Sequence, residues 1–131
     1  MKYRKGFKYQ VAEDEYFITD ILGYDIDLKF LQLTPDGMFL TRHGYAWDGP
    51  SGPAVDSDDF MRPSLGHDGL YQLMRLELLP RSLRKQIDKL MHKWCLEEEM
   101  LEFRADYCYA GVRAFADSAA DPKNKRKVYE V

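Results

Sequence analysis

The stretch Gly44-Tyr45-Ala46-Trp47-Asp48-Gly49-Pro50-Ser51-Gly52-Pro53 divides the chain. Before it, apolar residues alternate with polar ones; after it, they recur at spacings of three and four. The change of period implies an α+β fold, with a small N-terminal antiparallel β-sheet packed against a three-helix C-terminal part. Residues 1–48 read as mainly β, 49–62 as loop, 63–119 as mainly α and 120–131 as a tail. So many Gly and Pro residues around one Trp and one Asp imply a fixed irregular backbone of the kind that holds a ligand.

Working back from that loop, Thr34-Pro35-Asp36-Gly37 is a turn signal, so Met38 to Arg42 should return antiparallel to the strand before it. Ile26, Leu28 and Phe30 alternate, whereas Leu31 and Leu33 fall on the other parity, which a bulge or two-sided burial would explain. Tyr3, Phe7, Tyr9 and Val11 alternate, as do Tyr16 and Ile18 after Glu13-Asp14-Glu15, suggesting a hairpin.

Working forward, Pro63 suits the first turn of a helix whose apolar stripe is Leu70, Leu73, Met74 and Leu78. A second helix opens after Leu79-Pro80-Arg81-Ser82, with Ser82 as its cap and Leu83, Ile87, Leu90, Met91 and Trp94 as its apolar face. The short connection makes these two helices antiparallel neighbours. A third runs from about Leu101 to Ala119, with Ala110, Gly111 and Ala114 small enough for close packing and Tyr107, Val112 and Phe115 as larger contacts. Trp47 and Trp94 read as core anchors.

At 131 residues, 45% hydrophobic and 31% charged, the chain fits one soluble globular domain able to bury a real core. Neither a membrane span nor a secretory signal is visible, so the chain reads as cytosolic where it is made. A net charge of −3 argues against nucleic acid as a partner, since a phosphate-backbone binder is normally basic over a whole face. Lys123, Lys125, Arg126 and Lys127 read as a solvated tail. Cys95 and Cys108 read as reduced core thiols.

Chemistry is most plausible where His67, Asp68 and Asp88 converge. Neighbouring helical residues lie about 100° apart around the axis, so His67 and Asp68 can line two sides of one cavity, while Tyr71 shares a face with His67. An imidazole oriented by Asp88 on the next helix has a fixed tautomer and could act as a general base on water. Asp68, with Asp48 and the carbonyls of a rigid loop, is the donor set for a hard cation such as calcium. His43, His67, Asp68 and Asp88 also follow the order used by divalent-metal phosphohydrolases of the His-Asp superfamily. His92 could complete a His/Asp metal cluster. A helix tie is the plain alternative, in which His67 and Asp88 only hydrogen-bond each other.

Trp47-Asp48-Gly49-Pro50-Ser51, His67-Asp68-x-x-Tyr71, Arg84-Lys85-x-x-Asp88 and Tyr109-x-x-Val112-Arg113-x-Phe115 together resemble a family of small phage and prophage proteins. The resemblance implies a phage-encoded accessory protein in the cytoplasm of the infected bacterial host, or else a virion or assembly component. Locally, the His-Asp-x-x-Tyr helix, the following helix with Asp and the preceding Gly-rich loop are similar to the core of secreted phospholipases A2. That similarity implies a metal-assisted hydrolase with His67 as base, Asp88 and Tyr71 supporting it, and Asp68 with Gly44, Trp47, Asp48 and Gly49 near the cation. No organic cofactor is implied. The flanking disulfides of those lipases are absent, and Pro50 and Pro53 stand in the loop. A non-catalytic protein binding a small molecule or a host protein through the same cleft is the alternative.

Overall fold

The computed structural model describes residues 9–47 and 57–121, together with the backbone of residues 3–4. Antiparallel strands precede three helices, so the fold is α+β. Two compact units meet in sequence at Asp48 and Gly49.

The N-terminal unit contains β1 (Tyr3–Arg4), β2 (Tyr9–Val11), β3 (Glu15–Ile18), β4 (Ile26–Asp27), β5 (Leu31–Leu33), β6 (Met38–Thr41) and β7 (Ala46–Trp47). Two sheets form, in the orders β1-β2-β7 and β3-β6-β5-β4, rather than one. The hairpin expected between the segments ending at Val11 and Ile18 does not form. β2 pairs with β1 and β7, and β3 pairs with β6 in the register Phe17↔Phe39. Tyr16 and Ile18 are 55% and 62% exposed, while Phe17 between them is fully buried against Phe39, ring centroids 5.9 Å apart. On β3 the conspicuous alternation therefore marks the outer face. The parity switch at Leu31 has a simpler cause than a bulge. Leu28 N–H donates to Leu31 C=O at 2.8 Å, so a tight turn separates β4 from β5 and restarts the count.

The Thr34–Gly37 turn joins β5 to β6 as its sequence implies. Gly37 has φ +93°, and a Cβ there would stand 2.6 Å from the Thr19 carbonyl oxygen, so position 37 requires glycine twice over. Thr19 N–H and Oγ1 both donate to the Gly37 carbonyl, at 2.9 and 2.7 Å, pinning the end of β3 to this turn.

The second unit contains α1 (Asp58–Arg75), α2 (Arg84–Glu97) and α3 (Glu102–Phe115), with 3-10 turns at Arg81–Leu83 and Asp117–Ala120. α1 begins five residues before Pro63, shortening the expected 49–62 loop. Asp58 and Asp59 favour the positive end of the helix, and Pro63 forfeits only the bond to the Asp59 carbonyl. Ser82 does not cap α2; it lies inside the 3-10 turn, and Leu83 takes the N-cap position. α3 ends at Phe115, earlier than expected.

α1 and α2 both end in Schellman motifs. Leu78 N–H reaches Leu73 C=O at 2.9 Å and Met100 N–H reaches Cys95 C=O at 3.1 Å. Glu77 and Glu99 occupy the left-handed positions, with φ 62° and 65°. At the start of α3, Arg104 donates to Asp59 and to Ser57 Oγ, the latter at 2.7 Å, tying α3 to the first turn of α1. The core of the unit includes Phe60, Leu65, Leu70, Leu73, Ile87, Met91, Trp94, Ala105 and Cys108. Trp94 is buried there, and Trp47 is buried in the N-terminal unit. Cys95 and Cys108 are free, buried thiols, and burial pushes both above the ordinary thiol range.

The packing of α3 differs from the expectation. Gly111 and Val112 are buried as anticipated, but Tyr107, Ala110 and Ala114 face outward, and the Phe115 side chain lies outside the described residues. Ala105, Cys108 and Val112 supply the inward stripe instead. Among the described residues, no helix is long and apolar enough to cross a membrane.

Candidate functional site

Asp88 is the centre of the polar interior of the helical unit, with no exposed surface. It comes from the first turns of α2, on the same face as Ile87 and Met91, so folding the apolar stripe inward carries the carboxylate with it. Its Oδ1 lies 2.7 Å from His67 Nε2 and accepts from the Tyr71 hydroxyl at 2.5 Å. Its Oδ2 accepts from Arg113 Nη1 at 2.8 Å. His67 and Tyr71 lie one turn apart on α1, and their rings stack with centroids 4.1 Å apart. One carboxylate thus joins all three helices.

The electrostatics follow from that donor set. Burial opposes the Asp88 charge, but hydrogen bonds from His67, Tyr71 and Arg113 outweigh it and hold the carboxyl below its ordinary range. Burial first, and then the adjacent Asp88 carboxylate, push the Tyr71 phenol far above its usual range, so it stays a donor. The hydrogen bond to Asp88 raises the Arg113 guanidinium further. An ionised carboxylate only accepts, so the His67 proton sits on Nε2. In the neutral ring the lone pair is then on Nδ1, which makes no hydrogen bond among the described residues.

Asp68 has a cationic neighbour outside this group. Its Oδ1 lies 3.8 Å from Nη2 of the buried Arg75, whose Nε donates to Gln72 Oε1 at 2.7 Å. Trp47 is on β7 in the N-terminal unit, its ring 5.5 Å from that of Tyr9. Asp48 and Gly49 lie outside the described residues. Gly44 takes φ +98° in the turn before β7. His43 occupies that same turn, exposed, with its backbone N–H on Asp14 Oδ1 at 2.7 Å. His92 bonds Asp106 at 2.7 Å rather than adding to the Asp88 group.

Of the residues expected to hold a divalent cation, only Asp68 brings a side-chain carboxylate that lies among the described residues. Such an ion takes six or more oxygens, roughly, whereas Asp68 offers one carboxylate with a guanidinium beside it. Among the described residues, no group of three or more His, Cys, Asp or Glu side chains is arranged to hold a metal.

The sequence pattern contained Arg113 and Arg84 but assigned them no place in the site. Arg84 donates from Nη2 to the Val112 and Arg113 carbonyls at 2.9 Å each, capping the end of α3 and fixing the backbone that carries Arg113. Its Nε and the Gln72 Nε2 are buried without a hydrogen-bond partner among the described residues. An Arg–Arg spacing of that length across two helices has no local sequence signature. No known protein family, curated protein or solved structure matches the chain.

Proposed function

We propose that the chain is a hydrolase, of the phage accessory class that its sequence resembles, in which His67 serves as general base. The observation that carries this reading is the division of labour on Asp88. Oδ1 takes the His67 Nε2 proton and the Tyr71 hydroxyl together, which orients the ring and leaves Nδ1 as the basic atom. Arg113 on Oδ2 balances the buried carboxylate. A water hydrogen-bonded to Nδ1 would lose a proton to it as its oxygen attacks an ester carbonyl, and the protonated ring would return that proton to the departing alkoxide as the ester C–O bond breaks. The similarity to phospholipase A2 makes a carboxylic ester the substrate class, and Asp68 the first ligand for calcium if the Arg75 guanidinium gives way.

The test pairs turnover of water-soluble nitrophenyl esters and phospholipid vesicles with melting curves in calcium, magnesium and zinc. His67→Gln should lower turnover by about 100- to 10,000-fold. Asp68→Asn should remove any metal-dependent rise in melting temperature. No turnover by wild type on any of these esters, with or without metal, overturns the hydrolase reading.

A specific observation supports a second reading, in which the network is a helix tie inside a non-catalytic binding protein. Asp88 collects donors from both neighbouring helices, which is what a structural clamp would do. Under that reading His67→Gln lowers stability and no ester is turned over.

A further inference from the structure

α3 carries two apolar stripes. Ala105, Cys108 and Val112 face inward. Phe103, Tyr107, Ala110 and Ala114 lie at spacings of four, three and four, and all four are exposed, Phe103 to 72% and Tyr107 to 53%. Single exposed apolar side chains are ordinary, but four in a line along a 14-residue helix form a contact seam. The seam tapers from two aromatic rings at one end to two methyl groups at the other.

That taper is self-complementary. In an antiparallel pair of α3 helices related by a two-fold axis between positions 108 and 109, Phe103 of each copy faces Ala114 of the other. Tyr107 faces Ala110 in the same way. Each ring meets a methyl group, which lets the backbones approach without voids. A parallel pair would instead set ring on ring at one end and leave a gap at the other. The flanks agree with the antiparallel register. Asp106 and Arg113 occupy equivalent flanking positions one heptad apart, so the pairing brings Asp106 of each copy to Arg113 of the other, two opposite-charge contacts from one symmetry. Each side chain has a further acceptor or donor beyond its intrachain partner, His92 for Asp106 and Asp88 for Arg113.

We propose that the outer face of α3 is a homodimer interface, occupied by α3 of a second copy in antiparallel orientation. The inference is independent of the hydrolase reading and does not require His67 to be catalytic. The contact is a single helix pair, so association should be of micromolar order and reversible on dilution. Pairing also covers the outer edge of Arg113, whose side chain is 32% exposed in one chain.

Sedimentation equilibrium tests the proposal. Wild type should approach twice its 15.4 kDa mass at about 100 μM and dissociate on dilution to about 1 μM. Ala110→Glu, at an exposed position, should stay monomeric throughout with an unchanged far-ultraviolet spectrum. Orientation is read by mixing Phe103→Cys with Ala114→Cys under mild oxidation. Unlike chains should crosslink several-fold faster than like chains. A monomeric wild type at about 100 μM overturns the proposal and leaves the seam to a chain of different sequence. Dimeric Ala110→Glu, or faster crosslinking of like chains, overturns it equally.

Discussion

Replacing Asp88 with alanine removes the acceptor for three donors at once, and their surroundings set the size of the effect. His67 is nearly buried and Tyr71 is buried, so neither donor can turn to water, and each stranded group costs about 1 to 3 kcal/mol. Arg113 is one-third exposed at its side chain and recovers part of its hydration, so its loss is discounted. Together the loss comes to about 3 to 5 kcal/mol, in the range for breaking a buried ion pair. For a chain of this length that is a fall in melting temperature of roughly 10 to 15 °C. Tyr71→Phe removes one donor and leaves Asp88 with two, so it should lose only about 1 kcal/mol. Urea unfolding followed by circular dichroism at a helix wavelength reads both. If Asp88→Ala loses less than about 1 kcal/mol, or less than Tyr71→Phe, the network does not hold the helices together.

Three further outcomes follow from the same structure. Asp88 is held below its ordinary range, so its contribution is complete above about pH 4 and fades as pH falls through the depressed value. The stability gap between wild type and Asp88→Asn should therefore be constant from pH 5 to 7 and shrink below about pH 4 in acid titrations. Glu77→Gly and Glu99→Gly relieve left-handed backbone at helix ends, so each should raise stability by about 0.5 to 1 kcal/mol in chemical denaturation; a loss would refute the Schellman assignment. Cys95 and Cys108 are buried with raised pKa, so both should react with a thiol reagent only on unfolding, and fast labelling of the native protein at pH 8 would contradict their burial.

Particular residues show how much was legible in the sequence. The His67–Asp88 contact could be read because a short link makes α1 and α2 neighbours and a buried imidazole needs a partner. Tyr71 could be read from helical spacing alone. Arg113 could not, because it reaches Asp88 from 25 residues further on and nothing local to α3 marks it as inward. Pro63, of a type commonest in a first turn, points to a helix starting there, although Asp58 and Asp59 signal the earlier start. On α3, small residues suited close packing on either face, and only the structure separates Gly111, inward, from Ala110 and Ala114, outward. In the N-terminal unit, Tyr16 and Ile18 alternate on the solvent face, so their period marks a strand without telling which side is buried.

The protonation of the His67 ring is the most direct test of whether this site holds a base. Nitrogen-15 spectra of the histidine rings, assigned with His67→Gln, report which ring nitrogen bears hydrogen. With Asp88 ionised and accepting at Nε2, the neutral ring should carry its proton on Nε2 and leave Nδ1 bare. A neutral His67 with its proton on Nδ1 would leave no lone pair on that nitrogen, and the general-base reading would be contradicted.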